Sequence, residues 1–146
     1  MPKESLSEIE YEALANLRYR IRKFRQFSAD AATRLGLAPP EHQALLAIKG
    51  LGIDGEMSVS SLAETLFLAP AAATELTEGL RDRGFLTIAT KPKRRTVVRL
   101  TDQAEELLRR LTPAHLYEIR EMAPELMQAL RALQDHRRME MAAWMQ

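Results

Sequence analysis

The pattern that decides the fold lies in residues 58–100, SVSSLAETLFLAPAAATELTEGLRDRGFLTIATKPKRRTVVRL. Ser58 is suited to cap a short helix, and Pro70 is favourable in the first turn of a second helix, which Gly84 closes. In both segments the apolar residues recur at helical spacing. The residues predicted to face inward are Val59, Leu62, Ala63 and Leu66, then Ala73, Leu76, Thr77 and Leu80. Two short helices joined by a few residues predict a helix-turn-helix.

Two segments with the composition of β-strands follow this motif. Residues 85–90 and 96–100 are rich in apolar, β-branched and threonine side chains. The polar stretch between them, Lys91-Pro92-Lys93-Arg94-Arg95, is suited to the tip of a hairpin. The sequence therefore predicts a two-stranded hairpin directly after the helix-turn-helix.

The rest of the chain predicts helices. Residues 7–35 have an apolar stripe and are followed by Gly36, residues 40–50 form a second helix, and residues 53–56 form a loop. Thr101 caps a further helix, which either bends or continues at Pro113, and Pro124 opens a last helix. The predicted fold class is mainly α with a small β hairpin: a winged helix-turn-helix domain framed by long amino- and carboxy-terminal helices.

Charge is distributed unevenly along the 146 residues, although the net charge is only +1. Residues 16–40 carry +5 and residues 81–101 carry +6, whereas residues 41–80 carry −5. Without cysteine the chain has no disulfide and no thiolate metal ligand. It has no run of 18 apolar residues and no apolar leader at its amino terminus, so we expect a cytoplasmic protein with no membrane partner.

The order of these segments resembles the MarR family of winged-helix regulators over nearly the whole chain. The similarity is carried by LAPPEHQALLAIKG at 37–50, SVSSLAETLFLA at 58–69, LTEGLRDRGFL at 76–86 and VVRLTDQAEELL at 97–108. The resemblance implies a single domain over residues 1–146. Within it, residues 37–105 would be the winged-helix DNA-binding lobe, and residues 1–36 and 106–146 the dimerisation helices.

The same resemblance implies function. Members of the family are homodimers that bind near-palindromic double-stranded DNA, and many release it when a small aromatic or anionic effector binds. Two features depart from the family pattern. Lys93 stands where the hairpin of the family usually has an acidic residue, and the helix after Pro70 opens with alanines instead of polar or basic residues.

Two groups of residues are candidates for DNA contact. Four closely spaced cations at the hairpin tip repel one another unless a polyanion neutralises them, and DNA phosphates would do so. These cations are Lys91, Lys93, Arg94 and Arg95. The helix-turn-helix candidates are Ser58, Ser60, Ala71, Ala72, Thr74, Glu75 and Arg81. In the alternative interpretation the hairpin cations only interact with solvent, and the second helix of the motif packs against or docks a protein.

The long terminal helices are candidates for a dimer interface. Their apolar stripe has no other element to cover it, and a second copy of the chain is the simplest cover. The stripe contains Leu14, Leu17, Ile21 and Phe24 in the first helix and Leu126, Leu130 and Leu133 in the last. Arg18, Arg22 and Arg25 are expected to form ion pairs between subunits in preference to a DNA contact.

An effector pocket is predicted near Tyr19, Phe24, Phe27 and His42, with plain core packing of these aromatic residues as the alternative. We expect no metal and no cofactor, because His42, His115 and His136 lack metal-ligand spacing. No catalytic motif is present, so the chain is not expected to be an enzyme. The sequence leaves two functions open. One is a dimeric transcriptional regulator, most simply a repressor. The other is a winged-helix dimer that has lost specific DNA binding and serves as a protein-interaction or ligand-sensing module.

Overall fold

A computed structural model of the chain describes the backbone of residues 2–144 and the side chains of residues 8–93 and 95–135. Five helices and three strands follow one another in these residues: α1 (Pro2–Arg34), α2 (Pro39–Leu51), β1 (Glu56–Ser58), α3 (Val59–Leu66), α4 (Pro70–Asp82), β2 (Leu86–Lys91), β3 (Arg95–Leu100) and α5 (Asp102–Trp144). A 3₁₀ turn at Pro92–Arg94 joins β2 to β3. The predicted fold class, mainly α with a small β hairpin, is confirmed.

The sheet has one strand more than the sequence predicted. Its order is β1-β3-β2 with both pairs antiparallel, and Glu56 on β1 lies opposite Arg99 on β3. The prediction of a loop over residues 53–56 is therefore wrong at its last residue. Asp54 and Gly55 adopt positive φ angles of 53° and 74°, which turn the chain back so that Glu56 pairs with Ile53. A three-residue strand is too short to produce a recognisable alternation of apolar and polar residues.

The chain divides into two units, and Ala29–Pro113 is the one that contains α2 to α4 and the sheet. Its core is built from one apolar face of each element, and truncating such a residue to alanine typically costs about 2–5 kcal/mol. The largest fully buried apolar side chains are Leu37, Leu45, Ile48, Leu62, Leu80, Leu86 and Val98. The predicted inward faces of the helix-turn-helix are confirmed, since all of their residues are buried or half-buried.

The other unit consists of Met1–Ser28 and Ala114–Gln146, and we call it the first unit because it begins at Met1. In its described part, the buried His115 lies edge-on to the rings of Phe24 and Phe27, with centroids 5.9 and 5.4 Å away. The Nε2 atom of His115 is 2.8 Å from the hydroxyl of Ser28. These contacts join the α1 segment of this unit to its α5 segment.

Helix α5 is continuous from Asp102 to Trp144, through both Pro113 and Pro124. The prediction that Pro124 opens a separate last helix is therefore wrong. A proline inside a helix removes one hydrogen bond and costs about 3 kcal/mol. The apolar stripe nevertheless stays in phase across Pro124, with Ile119 and Met122 before it and Leu126 after it. A break in the helix at Pro124 would rotate Leu126 out of line with Ile119 and Met122. Within the described residues, no helix combines the length and apolarity needed to cross a membrane.

Candidate nucleic-acid interface

The helix-turn-helix is fixed by local capping. The hydroxyl of Ser58 accepts a hydrogen bond from the backbone N–H of Ser61 at 3.1 Å, which confirms Ser58 as the N-cap of α3. At the other end of α3, Phe67 adopts a left-handed conformation, and the Leu68 N–H donates to the carbonyl of Ala63 at 2.9 Å. This turn ends α3 and redirects the chain, so that α4 begins at Pro70.

Helix α4 has one buried face and one exposed face. Ala73, Thr77 and Leu80 are buried against the rest of the unit. The exposed face carries Ala71, Ala72, Thr74, Glu75, Glu78 and Arg81. All of the α4 residues predicted to contact DNA are therefore at the surface. Of the two serine candidates, Ser60 is exposed and Ser58 is half-buried, with its hydroxyl engaged in the cap.

A cleft of about 860 Å³ runs between α3, the exposed side of α4 and the hairpin of β2 and β3. Its polar lining includes Ser58, Ser60, Thr74, Glu78, Arg81, Arg95 and Thr96. Its apolar lining includes Val59, Ala63, Phe67, Leu68, Pro70 and Ile88. Of the residues predicted to contact DNA, the cleft brings together Arg95 of the hairpin and Ser58, Ser60, Thr74 and Arg81 of the helix-turn-helix.

The hairpin cations fall into different environments. The Lys91 Nζ lies 3.9 Å from a carboxylate oxygen of Glu56, whose other oxygen is 2.8 Å from the Arg99 guanidinium. Lys93 is exposed at the tip with a φ of 68°. Arg95 is exposed, and among the described side chains none forms a hydrogen bond or ion pair with it. The side chain of Arg94 lies outside the described residues.

Sequence reasoning missed the contacts that hold α4 in place. Arg83, the C-cap of α4, donates to both carboxylate oxygens of Glu41 at 2.8 Å and to the carbonyl of Gly36 at 2.6 Å. The hydroxyl of Thr101 donates to the carbonyl of Gly84 at 2.7 Å. Because these partners are 17 to 47 residues apart, no local pattern indicates them.

The predicted effector residues occupy several environments. Phe24 and Phe27 are half-buried against His115, while Tyr19 is 50% exposed and lies near the guanidinium of Arg20. His42 is buried in α2, within the unit formed by Ala29–Pro113. Among the described residues, no cluster of three or more histidine and acidic side chains could hold a metal ion.

The α1 and α5 segments of the first unit also enclose a smaller pocket, of about 400 Å³, which contains one of the predicted effector residues, Phe24. It is lined by Arg20, Lys23, Phe24, Tyr117, Glu118, Glu121, Met122 and Glu125. The Arg20 Nε atom is buried and has no hydrogen-bond partner among the described residues. The pocket thus combines aromatic rings with two cations and three carboxylates.

The arrangement of helix-turn-helix, cleft and hairpin is that of a winged helix, and solved structures share it. A MarR family protein from Bacillus stearothermophilus is 19% identical and superimposes with a TM-score of 0.68, covering 96% of this chain and 99% of its own. Sco3205, a MarR family transcriptional regulator from Streptomyces coelicolor solved in complex with DNA, is 21% identical with a TM-score of 0.60. The similarity covers 92% of this chain and 85% of Sco3205.

MepR, a transcription regulator of the Staphylococcus aureus multidrug efflux pump MepA, is 14% identical with a TM-score of 0.62 over 88% of this chain and 95% of its own. No protein-family model and no curated protein matches the sequence. At these identities the comparison shows the fold. The chain has the winged-helix fold of MarR-family regulators, as the sequence predicted.

Proposed function

We propose that this chain is a MarR-family transcriptional regulator that binds near-palindromic double-stranded DNA as a homodimer, most simply as a repressor, and that it is not an enzyme. The observation that carries the proposal is the cleft between α4 and the hairpin. A duplex laid on this surface places α4 in the major groove and the hairpin, the wing, in the adjacent minor groove. One backbone strand then passes through the cleft between them.

Several of the groups that line this path are suited to a phosphate backbone, although Glu64 and Glu78 also line it. Ser60, Thr74 and Thr96 can donate hydrogen bonds, and Arg81 and Arg95 supply positive charge. The N-cap of α4 is Ala69, which has no side-chain oxygen, so the first N–H groups of the helix can donate to a phosphate. We assign DNA contact to Ser58, Ser60, Ala71, Ala72, Thr74, Glu75, Arg81, Lys91, Lys93, Arg94 and Arg95.

A dimer is supported by the surface of the first unit. In its described part, large apolar side chains remain between 41% and 72% exposed on both α1 and α5: Ile9, Tyr11, Leu14, Tyr19, Ile21, Leu116, Tyr117, Ile119, Met127 and Leu130. So many exposed apolar side chains on one unit indicate an interaction surface. A second copy of the chain would cover it in an interface of more than about 2,000 Å², the usual size for an obligate dimer.

An effector site is supported by the 400 Å³ pocket of the first unit. A small aromatic anion would pack against Phe24 and Tyr117 and pair with Arg20 or Lys23. Of the predicted effector residues, only Phe24 lines this pocket, and we add Arg20 to the proposed site. Effector binding would change DNA affinity through the dimer, with a coupling free energy of about 1–3 kcal/mol.

A second candidate function is a winged-helix dimer that binds a protein instead of DNA. It is supported by the carboxylates of Glu75 and Glu78 on the exposed face of α4, which repel phosphates. It is also supported by Leu51 and Ile53, which are 68% and 80% exposed. Selection from a random duplex library distinguishes the two candidates. A regulator enriches an inverted repeat whose half-sites are about 10 base pairs apart, whereas an interaction module enriches nothing.

A further inference from the structure

The turn before α4 and the first residues of that helix form an exposed apolar surface. Residues 67–72 are FLAPAA, six consecutive apolar residues. All of them are exposed except Leu68, which is half-buried. We call this surface, formed by Phe67, Ala69, Pro70, Ala71 and Ala72, the leading edge. An exposed apolar run of this length is unfavourable in a soluble domain unless it binds something.

Phe67 contributes nothing to the fold that a smaller residue would not. Its side chain is 96% exposed, so it buries almost no apolar surface. Its backbone is left-handed, with φ 56° and ψ 43°, at the C-cap of α3. Glycine or asparagine is favoured in this conformation, and a bulky aromatic residue is disfavoured. A residue that costs stability locally and gains no packing indicates a function at that position.

The leading edge borders the cleft between α3, α4 and the hairpin. Phe67, Leu68 and Pro70 line it together with Thr74, Arg81 and Arg95. A ligand that occupies the cleft and follows α4 therefore touches the leading edge. Within the proposed function, on which this step rests, that ligand is the major groove of DNA.

The chemistry of the leading edge selects one group in that groove. None of its five side chains can donate or accept a hydrogen bond, so they cannot distinguish bases by hydrogen bonding. The 5-methyl group of thymine is the apolar group that the major groove displays, and aromatic and small apolar side chains recognise it by contact. We propose that the leading edge recognises thymine methyl groups, with the Phe67 ring as the principal contact.

The test compares duplexes that differ only in these methyl groups. Duplexes selected by the wild-type protein from a random library are prepared once with thymine and once with uracil in every thymine position. The wild-type protein binds the thymine duplex more tightly, by about fourfold for each methyl group that is buried. In Phe67→Ala the affinity for the thymine duplex falls and the thymine-to-uracil ratio approaches one.

Two further variants make the result specific. Phe67→Gly suits the left-handed backbone, so it folds at least as stably as the wild-type protein while losing the same thymine preference. Arg95→Ala, the matched control in the cleft, lowers the affinity for both duplexes and keeps the ratio.

Two outcomes overturn the inference while leaving the proposed function intact. The first is a wild-type ratio of one. The second is a Phe67→Ala protein with unchanged affinity and ratio, which would show that the Phe67 ring is not the principal contact. A wild-type protein that binds no duplex at all overturns the proposed function, and the inference with it.

Discussion

Glu56 and Arg99 face each other across β1 and β3, and the carboxylate of Glu56 holds the Arg99 guanidinium at 2.8 Å. The other carboxylate oxygen lies 3.9 Å from the ammonium group of Lys91 on β2. One side chain thereby links all three strands of the sheet. It also separates the hairpin cations, because Lys91 shares this carboxylate whereas Arg95 has no acidic partner among the described residues.

This difference predicts that Lys91 and Arg95, two cations of the same hairpin, contribute unequally to DNA binding. Each neutralised phosphate adds about 0.9 to the slope of log affinity against log salt. Arg95→Ala should therefore lower that slope by about 2 per dimer, and Lys91→Ala should lower it by much less. Fluorescence anisotropy on a random-sequence duplex at several salt concentrations measures both slopes. Equal losses in the two variants would show that the contact with Glu56 does not reduce the contribution of Lys91 to phosphate binding.

Arg83 is predicted to stabilise the winged-helix unit. Lysine cannot reproduce its contacts with both carboxylate oxygens of Glu41 and the Gly36 carbonyl. Since the arginine side chain is 43% exposed, solvent weakens the pair, and Arg83→Lys should cost only about 1 kcal/mol in urea unfolding. The control is Arg81→Lys, because Arg81 pairs with its exposed neighbour Asp82. A loss as large in the control would indicate a general effect of replacing arginine.

Leu130 is predicted to lie in the subunit interface. It is 43% exposed in the isolated chain, so a charge placed there is tolerated by the monomer and is costly only when a partner covers it. Leu130→Arg should sediment as a folded, helical monomer at micromolar concentration. Ile53→Arg, at an apolar residue that is 80% exposed in the other unit, should remain a dimer. A dimeric Leu130→Arg protein would exclude this part of α5 from the interface.

Arg20 is predicted to bind the carboxylate of an aromatic effector. At a ligand concentration of about 100 times Kd, binding stabilises the folded protein by about 2.7 kcal/mol, which a thermal-shift assay detects. In a panel of aromatic carboxylates, at least one should raise the melting temperature of the wild-type protein. Arg20→Ala should remove that shift, whereas Arg18→Ala, an exposed neighbour on the same helix, should retain it. A panel without any shift would rule out this pocket.

The sequence predicted those parts of the fold that depend on local patterns. Ser58, Pro70 and Gly84 mark the ends of α3 and α4, and the apolar spacing between them gives the buried faces correctly. The two hairpin strands were predicted to within one residue at each end, whereas β1 was not predicted. The sequence failed at Pro124, where the proline suggested a break although the apolar stripe of α5 continues in phase across it.

The parts of the candidate site that could not be predicted depend on residues that are far apart in the sequence. Glu56 looked like a loop residue, and its contacts with Lys91 and Arg99 arise only when the strands pair. Phe67 lies between Leu66 and Leu68, and an apolar run of this kind suggests burial. Its exposure follows from the left-handed turn at the end of α3, for which the sequence offers no glycine or asparagine as a marker.

Equilibrium binding of the wild-type protein to two duplexes tests the central proposal most directly. One duplex carries the inverted repeat enriched from the library, and the other is random, each measured at about 50 and 200 mM salt. A DNA-binding regulator should prefer the repeat by at least about 10³-fold. Its affinity for both duplexes should also fall steeply as the salt concentration rises. Equal or undetectable binding to both duplexes at low salt would contradict the account and favour the protein-interaction module.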